Sequence, residues 1–127
     1  MATDNRLISI SVPASADLSA SQFRFLQVNS SGQAALAGAT GIAVGVLQNK
    51  PPAAGRPATM GYTGVSKVIA GGTVAAGARV TSDANSAAIT ATTGDSVAGL
   101  ALTGGVSGDL ISVLIGAAGV CPLAAIT

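Results

Sequence analysis

Apolar residues in this sequence never hold a helical spacing for long. They come in short runs, each closed by Gly, Pro, Asn, Asp or Ser. A chain punctuated so often builds strands and turns. Leu7–Val12 alternates, with Ile8, Ile10 and Val12 on one face and Ser9 and Ser11 on the other, the pattern of a strand with one wet side. Gly41–Leu47 is apolar on both faces and reads as a strand covered on both sides. Further strands are expected at Phe23–Val28, Ala58–Tyr62, Val65–Ile69, Arg79–Ser82, Ala87–Thr90, Val97–Leu102 and Leu110–Ile115. Ser19–Gln22 fits a weak capping box, hence one helical turn, although Phe23-Arg24-Phe25 favours a strand directly after it.

The breaks have mechanisms. Asn29-Ser30-Ser31-Gly32 and Asp83-Ala84-Asn85-Ser86 are both suited to Asx turns. Gly71-Gly72, Gly77 and Gly104-Gly105 mark other turns, and Pro51-Pro52 fixes an extended linker. These signals recur. Val28 with its Asn-Ser-Ser-Gly matches Val80 with Thr-Ser-Asp-Ala-Asn, Gly45-Val46-Leu47 matches Gly99-Leu100-Ala101, and Gly55 matches Gly108. Either two similar β units fold together into one barrel or sandwich, or a Gly/Ala/Val-rich chain is matching itself by chance.

Of the 127 residues, only Phe23, Phe25 and Tyr62 are aromatic, while apolar residues make up 49%, mostly Ala, Val, Leu and Ile. Small side chains fill little space, so burial has to come from close backbone approach or from another subunit. Charged residues are 9% and the net charge is +1, against about 25% charged in an ordinary soluble domain. The six basic residues are scattered, without interleaved aromatics, which argues against a nucleic-acid surface. A surface so poor in charge tends to associate. Met1–Arg6 lacks the order of a secretion signal. Residues 110–127 carry no charge, but Ser112, Gly116, Gly119 and Pro122 argue against a membrane span. The single Cys121 rules out an intrachain disulfide and reads as a buried thiol.

The chemistry of catalysis is missing. With no His and no Glu, neither a Ser-His-Asp set nor a Cys-His pair exists, and one Cys cannot make a zinc site. Of the five carboxylates, Asp83, Asp95 and Asp109 sit in turn sequences that explain them, and no Asp cluster supplies a calcium site. Neither a dinucleotide nor a phosphate loop motif occurs. Ser66 and Lys67 are neighbours, so on a strand they face opposite ways. Asn29-Ser30-Ser31 is formally a glycosylation acceptor but is more simply a turn. No catalytic residue, metal or cofactor is expected.

Residues 79–90, RVTSDANSAAIT, follow Ala70–Gly77 with its Gly-x-x-Val, lead on to Gly99-Leu100-Ala101 and close with Gly108-Asp109 before Val113. This pattern resembles the capsid decoration, or cement, proteins of tailed phages. Phe25–Ala34 and Ala43–Leu47 are similar to the head decoration proteins of lambda-like phages. The resemblance covers roughly residues 23–115; Ser86 departs from it where the pattern often has Gly, and the tail after Ile115 has no place in it.

The resemblance implies a small all-β barrel or sandwich with a pseudo-repeated unit: residues 1–20 as an N-terminal arm and linker, and residues 21–127 as a single β domain. It implies a virion protein, assembled in the host cytoplasm, that docks as a homotrimer on the outside of an expanded capsid and bridges the major capsid protein, without nucleic-acid or membrane partners. In that setting Leu7, Ile8, Ile10 and Val12 would contact the capsid, unless they are simply the domain's first strand, and Leu110, Ser112 and Leu114 would line the trimer interface. The competing reading is a receptor- or glycan-binding β module of a tail fibre or adhesin, for which three aromatics are few.

Overall fold

The computed structural model describes residues 7–39, 43–92 and 97–115. Within them the chain forms nine strands and no helix: β1 (Leu7–Pro13), β2 (Phe25–Val28), β3 (Ala34–Leu36), β4 (Gly45–Leu47), β5 (Pro57–Ile69), β6 (Arg79–Ser82), β7 (Ala88–Thr90), β8 (Gly99–Ala101) and β9 (Leu110–Ile115). All nine belong to one sheet in the order β3-β2-β4-β5-β9-β8-β6-β7, with β1 paired to β5. The all-β expectation holds, and some boundaries move. Ala58–Tyr62 and Val65–Ile69 are parts of the single 13-residue strand β5, which runs through Gly64 at φ 116. Phe23 is not in a strand; it sits at φ 66, and Ser19–Gln22 forms turns rather than a helical turn. Met1–Arg6, Gly41, Ile42, Asp95, Cys121 and the tail after Ile115 lie outside the described residues.

The internal repeat is real, and it is written in the hydrogen bonds. β2 faces β3 with Leu26 opposite Leu36 and Val28 opposite Ala34; β6 faces β7 with Val80 opposite Thr90 and Ser82 opposite Ala88. Phe25 and Leu26 face Val46 and Gly45, as Arg79 and Val80 face Leu100 and Gly99. Asn29 Oδ1 accepts from the Ser31 and Gln33 amides at 3.0 and 2.9 Å; Asp83 Oδ1 accepts from Asn85 and Ala87 at 2.8 and 2.9 Å. Leu26 therefore corresponds to Val80, and Asn29 to Asp83. This corrects the match of Val28 with Val80, which slips the turn by two positions.

The first unit is β1–β4 with the first half of β5; the second is the other half of β5 with β6–β9. β5 serves both, pairing β1 over Pro57–Gly64 and β9 over Gly64–Ile69. Isolated parallel bridges place Ala14 beside Ala34 and Ala70 beside Ala88, so the two ends of each unit meet and each curls toward a small barrel.

Each curl has a core. In the first, Leu18, Leu26, Leu47 and Met60 are buried with Ala14, Ala34 and Ala58. Their counterparts Val74, Val80, Ala101 and Val113, with Ala70, Ala88 and Ile111, fill the second. The second core also takes in Phe25, Ala37 and Val46, so the back of the first unit plugs the second. The scarcity of large side chains is met by close approach. A Cβ on Gly99 would lie 2.6 Å from the Leu114 carbonyl oxygen, and one on its counterpart Gly45 would lie 2.6 Å from that of Gly61. Strands can come this near only without a side chain there.

Candidate functional site

β1 and β9 meet at one point of β5, where Gly64 is opposite both Leu7 and Ile115. From there the two strands run along different halves of β5, so the residues singled out for capsid contact and for self-contact form two separate surfaces.

On β1, the structure sorts the four apolar residues into two kinds. Leu7 packs against the second core and Val12 against the first. Ile8 and Ile10 are 52% and 46% exposed. β5 is the strand laddered with β1, and β3 closes only its end, through the Ala14–Ala34 bridge and the Ser15 amide on the Ala34 carbonyl, so among the described residues the far side of Leu7–Val12 is an open sheet edge. An edge with exposed apolar residues is a template for another chain's strand.

On β9, alternation splits the strand cleanly. Ile111, Val113 and Ile115 are buried, while Leu110, Ser112 and Leu114 share the outer face, with Leu110 half exposed. Across the ladder these three lie opposite Ile69, Lys67 and Val65 of β5, and Leu114 also lies opposite Leu100 of β8. The outer face is thus mostly apolar, with Lys67 as its charge. Sequence reasoning missed other exposed apolar positions elsewhere on the chain: Val28, Val44, Tyr62, Leu102 and Val106. Leu102 lies just past β8 and Val106 within Gly104–Gly108, and neither position carries a periodic signal.

An open groove of about 590 Å³ runs between the two units, lined among others by Arg24, Leu36, Ile69, Asp83, Asn85 and Ser107. Its two charged groups are engaged in the fold. Arg24 Nη1 donates to the Asn85 carbonyl at 2.7 Å, and Asp83 Oδ1 caps its turn. No aromatic ring lines it, so it lacks the platform that sugar binding prefers.

Among the described residues the carboxylates cap turns. The Ser19 hydroxyl, 2.6 Å away, and then the Ser19 amide hold the Asp17 carboxyl below its ordinary range. That favours the charged form of an exposed turn cap, the reverse of what a general acid requires. Asp109 Oδ2 accepts from the Val106 amide at 3.0 Å and closes the turn before β9. Among the described residues no three His, Cys, Asp or Glu side chains gather to hold a metal. No helix there is long and apolar enough to cross a membrane.

No curated protein matches the sequence. The fold resembles that of the head fiber gp8.5 N base of bacteriophage phi29: TM-score 0.69 at 18% identity, over 87% of this chain and 95% of that one. The profile of the phage cement proteins matches residues 2–117, nearly the whole chain. The chain belongs to the phage cement protein family and is a structural, non-enzymatic protein of the virion.

Proposed function

We propose that this protein binds the outer surface of an expanded phage capsid as a homotrimer and stabilises the shell by bridging neighbouring major capsid subunits. The observation that carries this reading is an apolar surface laid out on two separate strands, β1 with Ile8 and Ile10 and the outer face of β9 with Leu110, Ser112 and Leu114, in a chain of the cement family. One surface serves the shell and the other serves copies of the chain. A protein that binds the expanded lattice and not its precursor shifts the balance toward expansion by linkage. Many copies on one shell make weak single contacts sufficient.

Leu7 and Val12 reach the shell only through the strand they hold in place, because both pack inward; Ile8 and Ile10 are the side chains free to touch it. Ile8 is half exposed in the free chain, so replacing it by Asp removes about 1 kcal/mol of apolar burial and adds the cost of desolvating a carboxylate, together about tenfold or more in affinity. Co-sedimentation with expanded heads should show that loss while circular dichroism stays unchanged. Unaltered occupancy of the Ile8→Asp protein would remove β1 from the capsid contact.

A further inference from the structure

The joint between the two units is one-sided. The first unit presents Arg24, Ala37 and Gln48, and the second receives them on Asn85, Ser82, Ser86 and Ser66. Arg24 donates to the Asn85 carbonyl, Ser82 and Ser86 donate to the Ala37 carbonyl, and Gln48 Nε2 donates to Ser66 Oγ at 2.8 Å. A one-sided joint between like units leaves two surfaces unused. These are the second unit's copy of the presenting side and the first unit's copy of the receiving side.

The registers say which residues stand there. Gln48 N donates to the Thr59 carbonyl just past β4, and Leu102 N donates to the Ser112 carbonyl just past β8, so Leu102 is the counterpart of Gln48. Ile10 lies opposite Met60 on β5, and Ser66 opposite Val113 on β9, so Ile10 is the counterpart of Ser66. Val28 is likewise the counterpart of Ser82. At the joint inside the chain, Gln48 and Ser66 form a polar pair, with Ser66 3% exposed. At the two free ends both members of that pair have become large and apolar, and both are open, Leu102 at 45% and Ile10 at 46%. Val28 is 46% exposed where Ser82 is 1% exposed. The fold does not demand apolar side chains at these positions, because serine and glutamine fill them in the other unit. Two exposed apolar groups, at positions whose counterparts touch as a polar pair in the other unit, fit a contact made between chains.

We infer that copies of this chain join head to tail, the second unit of one copy against the first unit of the next, with Leu102 of one copy against Ile10 of the next. The contact is a surface one without a plug, because Arg79 stands where the first unit has Phe25 and the first core is filled by its own Leu18, Leu26, Leu47 and Met60. A second copy is the occupant that fits, because Leu102 and Ile10 stand at the positions that touch one another, as Gln48 and Ser66, within the chain. In the homotrimer of the proposed function, three such contacts make the ring. The inference rests on the homotrimer reading and refines it: Ile10 belongs to the joint between copies, and the shell is left with Ile8 and the open edge of β1.

The test uses the full chain with Cys121→Ala, carrying Ile10→Cys, Leu102→Cys or both. Mild oxidation should give covalent trimers on a non-reducing gel for the double variant and none for either single one. Leu102→Glu should weaken trimer formation at least tenfold in sedimentation velocity, and adding Ile10→Lys should restore it; these two variants keep the test open should a cysteine harm folding. A protein that sediments as a trimer without cross-linking, or whose single-cysteine variants link to themselves, would overturn the head-to-tail joint and leave the trimer standing. A parent chain that sediments as a monomer would overturn both.

Discussion

Ser86 shows at a single residue how this fold tolerates sequence change between its halves. It takes the left-handed conformation, φ 65, in the seat that Gly32 fills in the first unit at φ 76. The left-handed region costs a non-glycine residue about 1 kcal/mol or more. Here the hydroxyl offsets that cost, because Ser86 is buried and its Oγ donates to the Ala37 carbonyl across the joint. Ser86→Ala keeps the strain and loses the bond, so it should lower unfolding free energy by about 1–2 kcal/mol; Ser86→Gly loses the bond and relieves the strain, so it should cost less. Urea titration of the two variants checks the order, and Ala at least as stable as Gly would contradict it. Phe23 repeats the theme at φ 66, in the place that Gly77 holds at φ 86. Sequence reading expects a strand at Phe23 because aromatic residues favour strands, and it has no means of seeing that the turn requires the backbone to reverse there.

At the scale of elements, the long strands were legible and the short ones less so. β1 and β9 are long enough for alternation to show, and the Asx turns announce themselves through Asn29 and Asp83. β3 spans Ala34–Leu36, too short for any period to show, and it exists because β2 offers it a ladder. β5 reads as two strands because Gly64 interrupts it, whereas in the fold Gly64 is where one strand passes from the first unit to the second. The pairing of β8 with β9 depends on Gly99, whose missing Cβ makes room for the Leu114 carbonyl and a Val113 methyl 2.7 Å from the Cβ position. Gly99→Ala should therefore cost about 1–3 kcal/mol, the usual penalty of overpacking. Gly32→Ala meets no atom within 4 Å and should be limited to its backbone strain. Thermal melts of the two proteins should separate them, and equal midpoints would show that the strands yield more easily than the geometry implies. Of the candidate surfaces, β9's Leu110, Ser112 and Leu114, named through the resemblance, share one outer face. The inward packing of Leu7 and Val12 was not legible, since it depends on the curl that brings β1 over two cores.

For the molecule as a whole, small side chains, sparse charge and a duplicated curl have one common consequence. Burial is completed by packing like on like: the first unit plugs the second, and what remains apolar at the free ends and along β1 faces outward. On the function proposed above, such a chain gains stability and purpose together when it is packed against copies of itself and a larger shell. The most direct measurement is co-sedimentation of the purified protein with empty heads before and after expansion. Saturable binding to expanded heads, absent from unexpanded ones and accompanied by greater resistance of the shell to heat, is the result predicted here. Equal binding to both forms, or no binding to either, would contradict it.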